Sequence, residues 1–478
     1  MYRKMSVALG CAALLALVSA SALLADEAQP AAPAQKDTVV AAGVTPPETS
    51  NTAQPSVQIV NPFARVIDDP IEFQYFRPHD ARALNMFEPP KIAGVPYTGN
   101  KLDLGVAFTQ QYQDLSHHNS AAAKMVTVNG VPVNSNQLIE IGSGFNNAVA
   151  NLYLDAQLAK GIRVTMTSYL SSRHHQESWV KDGYLLVDES PIANKTLDAI
   201  MKYTTLKVGH FEINYGDAHF RRSDNGNAMF NPFVGNLLMD AFTTEVGAEV
   251  YLRSNGYLAM VGTTGGEIRG QVTKPKDRAP TFLSKLGYDH EFAPKVRARL
   301  TGSLYTTEKS VNNTLYSGSR AGSRYYDVLE NTQSTENTQA WSGDVQPGFR
   351  NKITAWVINP FVRVKGVELF GNIEQAKGRA ANETTWRTWH QYSGEALYRF
   401  FDERFYVGSR YNVAKGSFAG MTNDVRVDRT QLAFGWFVTP KILAKTEYVK
   451  QNYFDFPTSD IRNGGQFRGF MFEGVVTF

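Results

Sequence analysis

The sequence predicts an all-β fold: a transmembrane antiparallel up-and-down β-barrel of about sixteen strands, with fourteen to eighteen compatible with the pattern. Three observations carry this reading. The stretch Gly465 to Phe478 (GQFRGFMFEGVVTF) puts Phe470, Phe472, Gly474, Val476 and Phe478 on every second position, and Met471, Glu473, Val475 and Thr477 in the other phase. One strand face is therefore apolar and aromatic and the other mixed. The same period of two recurs in strand-sized segments from residue 101 onward, divided by short turns and long loops in strict alternation. Finally, aromatics make up 12% of the 478 residues, with 22 Tyr and 28 Phe, while the mean hydropathy is slightly negative. That combination suits strands that alternate lipid-facing and water-facing side chains. An aromatic last strand without a polar tail fits a barrel strand that shows one face to lipid and pairs its edge with the first strand. The last strand of a soluble sandwich is the alternative.

Net charge is +3, from 48 basic and 45 acidic residues, so no polyanion-binding surface is announced and nucleic acid is not an expected partner. At the amino end, Arg3 and Lys4 precede the apolar run Val7 to Leu24, with small residues at Ala20, Ala22 and Ala25 before Asp26. Residues 1–25 read as a secretory signal peptide; a membrane anchor is the alternative, and a lipoprotein box at Cys11 is disfavoured by the long apolar run after it. Cys11 is the single cysteine, so a cleaved chain carries no thiol, which suits an oxidising envelope compartment. Residues 26–56, rich in Ala, Pro, Thr and Gln, read as a disordered spacer. Residues 57–100 carry aromatics broken by prolines and are expected to be a periplasmic or plug-like segment, with both readings open. Residues 101–478 form the expected barrel.

Strands are expected to begin near 101, 146, 162, 183, 203, 241, 257, 281, 296, 351, 367, 388, 404, 426, 441 and 465. Short turns fall at Ala159-Lys160-Gly161, Ser254-Asn255-Gly256, Ala293-Pro294-Lys295, Lys365-Gly366, Asp402-Glu403 and Thr439-Pro440-Lys441. Phase is weakest at 183–189 and around Pro360. Lys195 to Tyr203 has helical spacing and predicts a short turn helix on the periplasmic side. In the polar phase, Arg163, Arg297, Arg299, Arg399, Arg410 and Arg429, with Lys207 and Lys445, are expected to line the lumen. They are met there by Glu212, Glu374, Glu395 and Glu447, with Asp155, Glu249 and Glu473. The signs nearly cancel, so weak ion selectivity is expected.

The loop Gly216 to Asp240 combines Asp217, Arg221, Arg222 and Asp224 with the apolar run Met229-Phe230-Asn231-Pro232-Phe233-Val234. An inward fold would pack the apolar run on the barrel wall and place the four charges at a pore constriction, with Arg221 and Arg222 biasing it toward anions. The alternative is a loop that covers a neighbouring loop or subunit, with solvated arginines.

The carboxyl-terminal pattern resembles the assembly signature of Gram-negative outer-membrane barrels, which implies that Phe470, Phe472 and Phe478 form the assembly signal. The runs YTTLKVGHFEINYGDAHFRRSDNGNAMFNPFVGN, INPFVRVKGVELFG and FYVGSRYN are similar to porin-type barrels, and more loosely to phosphate-selective porins, from about residue 100 to the end. The arginine staircase of the latter has no clear counterpart here, so anion selectivity is not carried over. The resemblance implies a location in the cell outer membrane and contact with outer-membrane lipid and the barrel assembly machinery. It also implies passage of small hydrophilic solutes and is compatible with a homo-oligomer such as a trimer.

Catalysis and metal binding are not expected. His117-His118 and His174-His175 fall in expected outer loops without supporting cysteines or carboxylate spacing, and read as solvated loop residues. Asp224-Asn225-Gly226-Asn227 lacks the later Glu of a calcium loop. There is no G-x-S-x-G elbow, and Gly262 to Gly266 is not followed by Gly-Lys-Ser/Thr. No cofactor is expected. The expected function is passive diffusion of small hydrophilic solutes, with a structural or adhesive barrel, or a barrel hydrolase, as alternatives.

Overall fold

Sixteen long antiparallel strands close on themselves in the computed structural model, which describes residues 73–91, 96–146, 148–171, 178–223, 226–266, 275–316, 325–335 and 341–478. The expected signal peptide and spacer lie outside these residues. In chain order the strands are β1 Lys101–His118, β2 Val149–Ala159, β3 Ile162–Ser171, β4 Ser178–Val187, β5 Thr204–Glu212, β6 Thr244–Ser254, β7 Tyr257–Thr264 and β8 Thr281–Ala293. They continue with β9 Val296–Thr307, β10 Lys352–Val364, β11 Val367–Arg379, β12 Arg387–Phe400, β13 Phe405–Gly416, β14 Val425–Thr439, β15 Ile442–Phe454 and β16 Gln466–Thr477. A seventeenth member of the sheet is the two-residue Gly144–Phe145, which pairs Tyr112 and Gln113. The count agrees with the sequence reading and the starts fall within three residues of it, except that β4 begins at Ser178 instead of near 183.

Each strand pairs the next, and β1 closes the ring. One edge of β1 pairs β2 from Lys101 with Gln157 to Thr109 with Val149; the other pairs β16 from Ala107 with Thr477 to His118 with Gln466. Beyond the last pair, Val106 and Phe478 exchange backbone hydrogen bonds of 2.8 and 3.0 Å. Closure matters because a sheet edge in hydrocarbon would leave unpaired N–H and C=O groups, each costing several kcal/mol.

Alternation then sorts the side chains. On β16, Phe470, Val476 and Phe478 are exposed on the outer face, whereas Phe467, Met471, Glu473, Val475 and Thr477 are buried on the inner one. Phe472 also belongs to the outer phase but is covered by Tyr112, whose ring also meets Phe145. Leu102, Val261, Leu286, Leu300, Ile358 and Leu432 continue the exposed apolar exterior around the ring. Beside the short turns, outer aromatics gather in two groups. Tyr257, Tyr288, His290 and Phe292 have neighbouring centroids 4.7–5.8 Å apart; Phe400, Phe401, Phe405, Phe434 and Trp436 lie 5.4–6.1 Å apart. Such a girdle marks a membrane interface.

Local chemistry sets the connections. Asn255 and Gly256 both have positive φ, 49° and 85°, the geometry of a two-residue hairpin turn whose twist matches the flanking strands. Lys195–Met201 forms α1, the expected turn helix, capped by Asn194, whose side chain accepts from the Thr196 and Leu197 N–H groups. Pro360 sits within β10, opposite Leu300 of β9, while the regular ladder to β11 skips from Ile358 to Phe361. Having no N–H, Pro360 interrupts one side of the ladder, and Gly371 leaves room for its ring: a Cβ there would come within 2.8 Å of Pro360 Cγ. The blurred phase around Pro360 therefore still belongs to a strand.

Candidate functional site in the barrel lumen

The inner face is polar and charged, and much of it faces protein. The loop 213–243 between β5 and β6 runs through the lumen with Phe230, Phe233, Val234, Leu238 and Met239 buried. Irregular backbone at this depth needs partners for its polar groups, and the barrel wall supplies them. Lys445 donates to the carbonyls of Ala228, Asn231 and Phe233 at 2.8–3.0 Å. Arg429 donates to Asn236 O at 2.5 Å and to Gly343 O at 2.8 Å. Glu447 accepts from Val234 N at 2.8 Å and from the Tyr325 hydroxyl at 2.6 Å. Asn412 and Gln391 accept from the backbone N–H groups of Leu238 and Met239. Gly235 is required at the closest approach, since a Cβ there would lie 2.2 Å from the Tyr325 hydroxyl.

A second segment, 73–91, lies against the same wall. Its Ala81 and Ala83 pack with Met229, Phe230, Phe233, Leu397, Tyr406 and Val475. Around that contact it is held by polar bonds. His79 Nε2 is 2.7 Å from Asp155, Asn85 donates to Glu368 at 2.6 Å, and Glu88 pairs with Arg299 at 2.8 Å and Lys285 at 3.4 Å. Lys285 and Arg299 also pair with Asp217 of the inward loop, at 2.6 and 2.8 Å. Burial alone would raise both carboxyls. Arg299 and Lys285 overcome it at Glu88, holding that carboxyl well below its usual range, and Lys285 with Arg299 brings Asp217 to about 2. Burial pushes the His219 imidazole well below its usual value, and nearby Lys285 lowers it further.

The charged residues of the polar phase occupy this network. Arg163 pairs with Asp188 at 2.8 Å, Arg399 with Glu368 at 2.8 Å, and Arg410 with Glu395 at 3.1 Å. Arg297, half-buried, donates to Asp289 at 2.7 Å, and Glu374 accepts from the Tyr316 hydroxyl and from Gln391 at 3.0 Å. Arg221 pairs with Glu395 at 3.2 Å and also meets Glu368 and Asn85. Arg222 pairs with Asp240 at 2.8 Å and with Glu212. Arg221 and Arg222, expected at a constriction, are thus both buried and met by carboxylates, as Asp217 is met by cations, so neither arginine stands as an unpaired charge. Asp224 and His174-His175 lie outside the described residues. His117, expected in an outer loop, instead lies near the end of β1 and is satisfied there, its Nε2 facing Ile139 O at 2.7 Å and its Nδ1 accepting from Leu329 N at 2.9 Å.

Sequence reasoning missed Lys285, Asp289 and Glu368, and the use of Asn85 and Glu88. Lys285 was readable: Phe282 and Leu286 are outward, so Leu283 and Lys285 face in. Asn85 and Glu88 sit in a segment without periodicity, where phase says nothing.

Open space remains along β2 to β6. A cavity of about 180 Å³ is lined by strand residues such as Tyr153, Asp155, Thr167, Tyr184 and Lys207, and by Arg77, His79 and Glu88 of the amino-terminal segment. Its described lining holds five acidic residues (Glu88, Asp155, Asp182, Asp188, Glu212) and five basic ones (Arg77, Arg163, Lys181, Lys207, Arg253). A second cavity of about 1000 Å³, at the short-turn mouth beside α1, shares Glu88, Pro89, Asp188 and Arg253 with the first. The two spaces thus border on the same charged side chains.

The closed sheet, its apolar exterior with aromatic girdles and its charged lumen define a sixteen-stranded transmembrane β-barrel. Solved structures of similar shape include the anion-selective porin from Comamonas acidovorans (TM-score 0.47, 9% identity, covering 79% of this chain and 100% of that one). Others are the Salmonella typhi OmpF complex with daunomycin (TM-score 0.45, 12% identity, 80% of this chain and 98% of that one) and in-vitro folded OmpT, an outer membrane protein of Vibrio cholerae (TM-score 0.44, 9% identity, 80% and 99%). No family model and no curated protein matches the chain. At these scores the likenesses carry no argument, and the class rests on the barrel's own closure and surfaces.

Proposed function

We propose that this barrel is a narrow diffusion channel for small hydrophilic solutes or ions, with its path along β2 to β6. One observation carries the reading: the pair of cavities with shared charged lining residues on that side of the lumen, opposite a side filled by the inward loop. An empty barrel of this size would leave a wide aqueous channel, whereas this one leaves a slot that takes small solutes and excludes large ones. On this reading the narrowest part lies at the shared residues Glu88, Asp188 and Arg253 in place of Arg221 and Arg222. Residues 73–91 act as a partial plug on this reading. A transport role is proposed in preference to hydrolysis because the Thr165 hydroxyl beside His79 and Asp155 bonds to the carboxylate, at 2.7 Å, as the imidazole does, so the three do not line up as a hydroxyl–imidazole–carboxylate relay.

A second reading, a structural barrel without an open channel, is favoured by the dense packing of the inward loop. Planar-bilayer recording of the refolded chain separates the two. Small single-channel steps that grow on deletion of residues 73–91 support the slot; a folded, heat-modifiable barrel with no current in either form supports the closed barrel.

A further inference from the structure

Resting on the channel reading, we propose that the path prefers small anions and that Arg77 and Arg253 set this preference. The formal balance of five acidic and five basic lining residues hides an asymmetry in their partners. Glu88 is met by Arg299 and Lys285, Asp188 by Arg163 and Lys91, Glu212 by Arg222, and Asp155 by His79 and the Thr165 hydroxyl. Lys285 and Arg222 come from outside both linings, and Arg299 and Lys91 line only the second cavity, so in the first cavity these carboxylates are neutralised largely by groups that are not part of its wall. Lys207 is likewise matched by Glu249, at 3.3 Å, while Lys181 and Asp182 are sequence neighbours of opposite sign.

Arg77 and Arg253 differ. Arg77 donates to the carbonyls of Met86 at 2.8 Å and Phe220 at 3.3 Å, and its guanidinium lies 4.4 Å from the Phe230 ring centroid. Arg253 donates to Pro89 O at 2.8 Å and stands over the Tyr251 ring, and its Nε has no acceptor. Among the described residues no carboxylate lies within ion-pairing distance of either side chain. Burial pulls the Arg77 guanidinium down to about 10, so it stays protonated at neutral pH although its environment opposes the charge. A partly desolvated cation bonded only to carbonyl oxygens attracts a mobile anion strongly, because local screening is weak.

Arg253 lines both cavities and Arg77 lines the first, so the two mark successive positions along one path. Arg77 belongs to the amino-terminal segment, and Arg253 bonds to that segment. Selectivity is therefore set by the segment and its contact with the wall.

The test is the reversal potential of the refolded full chain in a potassium chloride gradient, then with gluconate in place of chloride. The wild type is expected to favour chloride over potassium several-fold, and gluconate is expected to lower the current. R77Q and R253Q should each move the reversal potential toward the potassium side, while R77K should retain the wild-type value. A heat-modifiable band checks folding, and R253Q with R77K carries the test if R77Q does not fold. A wild type without anion preference, or variants with the wild-type reversal potential, overturns the assignment while leaving the channel reading in place. Absence of any wild-type current overturns both.

Discussion

Lys445 offers the sharpest test of how the inward loop is held. Its ammonium donates to three loop carbonyls at 2.8–3.0 Å and pairs with Glu473 at 2.7 Å, with the side chain almost fully buried. K445M removes the charge and keeps most of the volume. Three charge-assisted bonds taken singly would total roughly 4–9 kcal/mol, at about 1.5–3 kcal/mol each. Lumen water can solvate freed carbonyls, so the better guide is the cost of removing one partner of a buried pair, about 3–5 kcal/mol. The ladder of β14 to β16 does not depend on this side chain, so the loss falls mainly on the docked loop. It shifts the docked–undocked equilibrium by roughly three orders of magnitude. Single-channel conductance should rise, and protease should cut within 226–240, where the parent is protected. The double variant K445M/E473Q removes the stranded carboxylate charge and should recover part of the loss. Parental conductance and parental protection in K445M would show that the loop is held by something other than this cluster.

Three further outcomes follow from the same geometry. F472D places a carboxylate on the outer face beside Tyr112 and Phe145, and removal of Phe478 loses both backbone bonds to Val106; each should lower the amount of heat-modifiable barrel in the outer membrane, and unchanged amounts in both would contradict the role given to the closing strand. Replacing Arg221 and Arg222 together by Glu sets new carboxylates against Glu395, Glu368, Glu212 and Asp240, so the expected result is loss of folded protein, and a folded variant with altered selectivity would restore the eyelet reading. Asp217 is held at about 2 against an ordinary 3.8, a depressed carboxyl, so its stabilisation is present above about pH 4 and lost as pH falls toward 2. Thermal unfolding of D217N and parent, compared across that range, should differ above pH 4 and converge below it; a difference that persists at pH 2 would remove the ion pair as its cause.

The barrel was legible because lipid imposes a binary code. Val261 and Leu286 must be apolar where Glu249 and Lys285 need not be, and that contrast repeats every second residue. What filled the lumen was not legible, and the reason is chemical. Gln391, Asn412 and Lys445 have the same inward phase whether they face water or the backbone of residues 226–240, since both offer hydrogen bonds. The apolar run Met229 to Val234 did point inward, but Arg221 and Arg222 could be read as free charges only while Glu395, Glu368 and Glu212 lacked positions. Pairing is a property of three-dimensional neighbours, and Arg221 finds Glu395 174 positions away.

The seat of the amino-terminal segment also imposes an order on assembly. Gln74 and Tyr75 bind Glu189 after β4, Arg77 meets Phe220, Glu88 binds Arg299 on β9, Asn85 binds Glu368 on β11, and Ala81 N donates to Pro440 O between β14 and β15. The ring itself closes through β1 and β16, where bonded partners such as Gln111 and Glu473 stand 362 positions apart. The segment therefore emerges early from the ribosome yet has no complete docking surface until nearly every hairpin has been laid down. Folding of so non-local a topology is slow, and through that interval the nascent cylinder stands without its inner strap. A barrel missing one hairpin would therefore lack one of the strap's anchors.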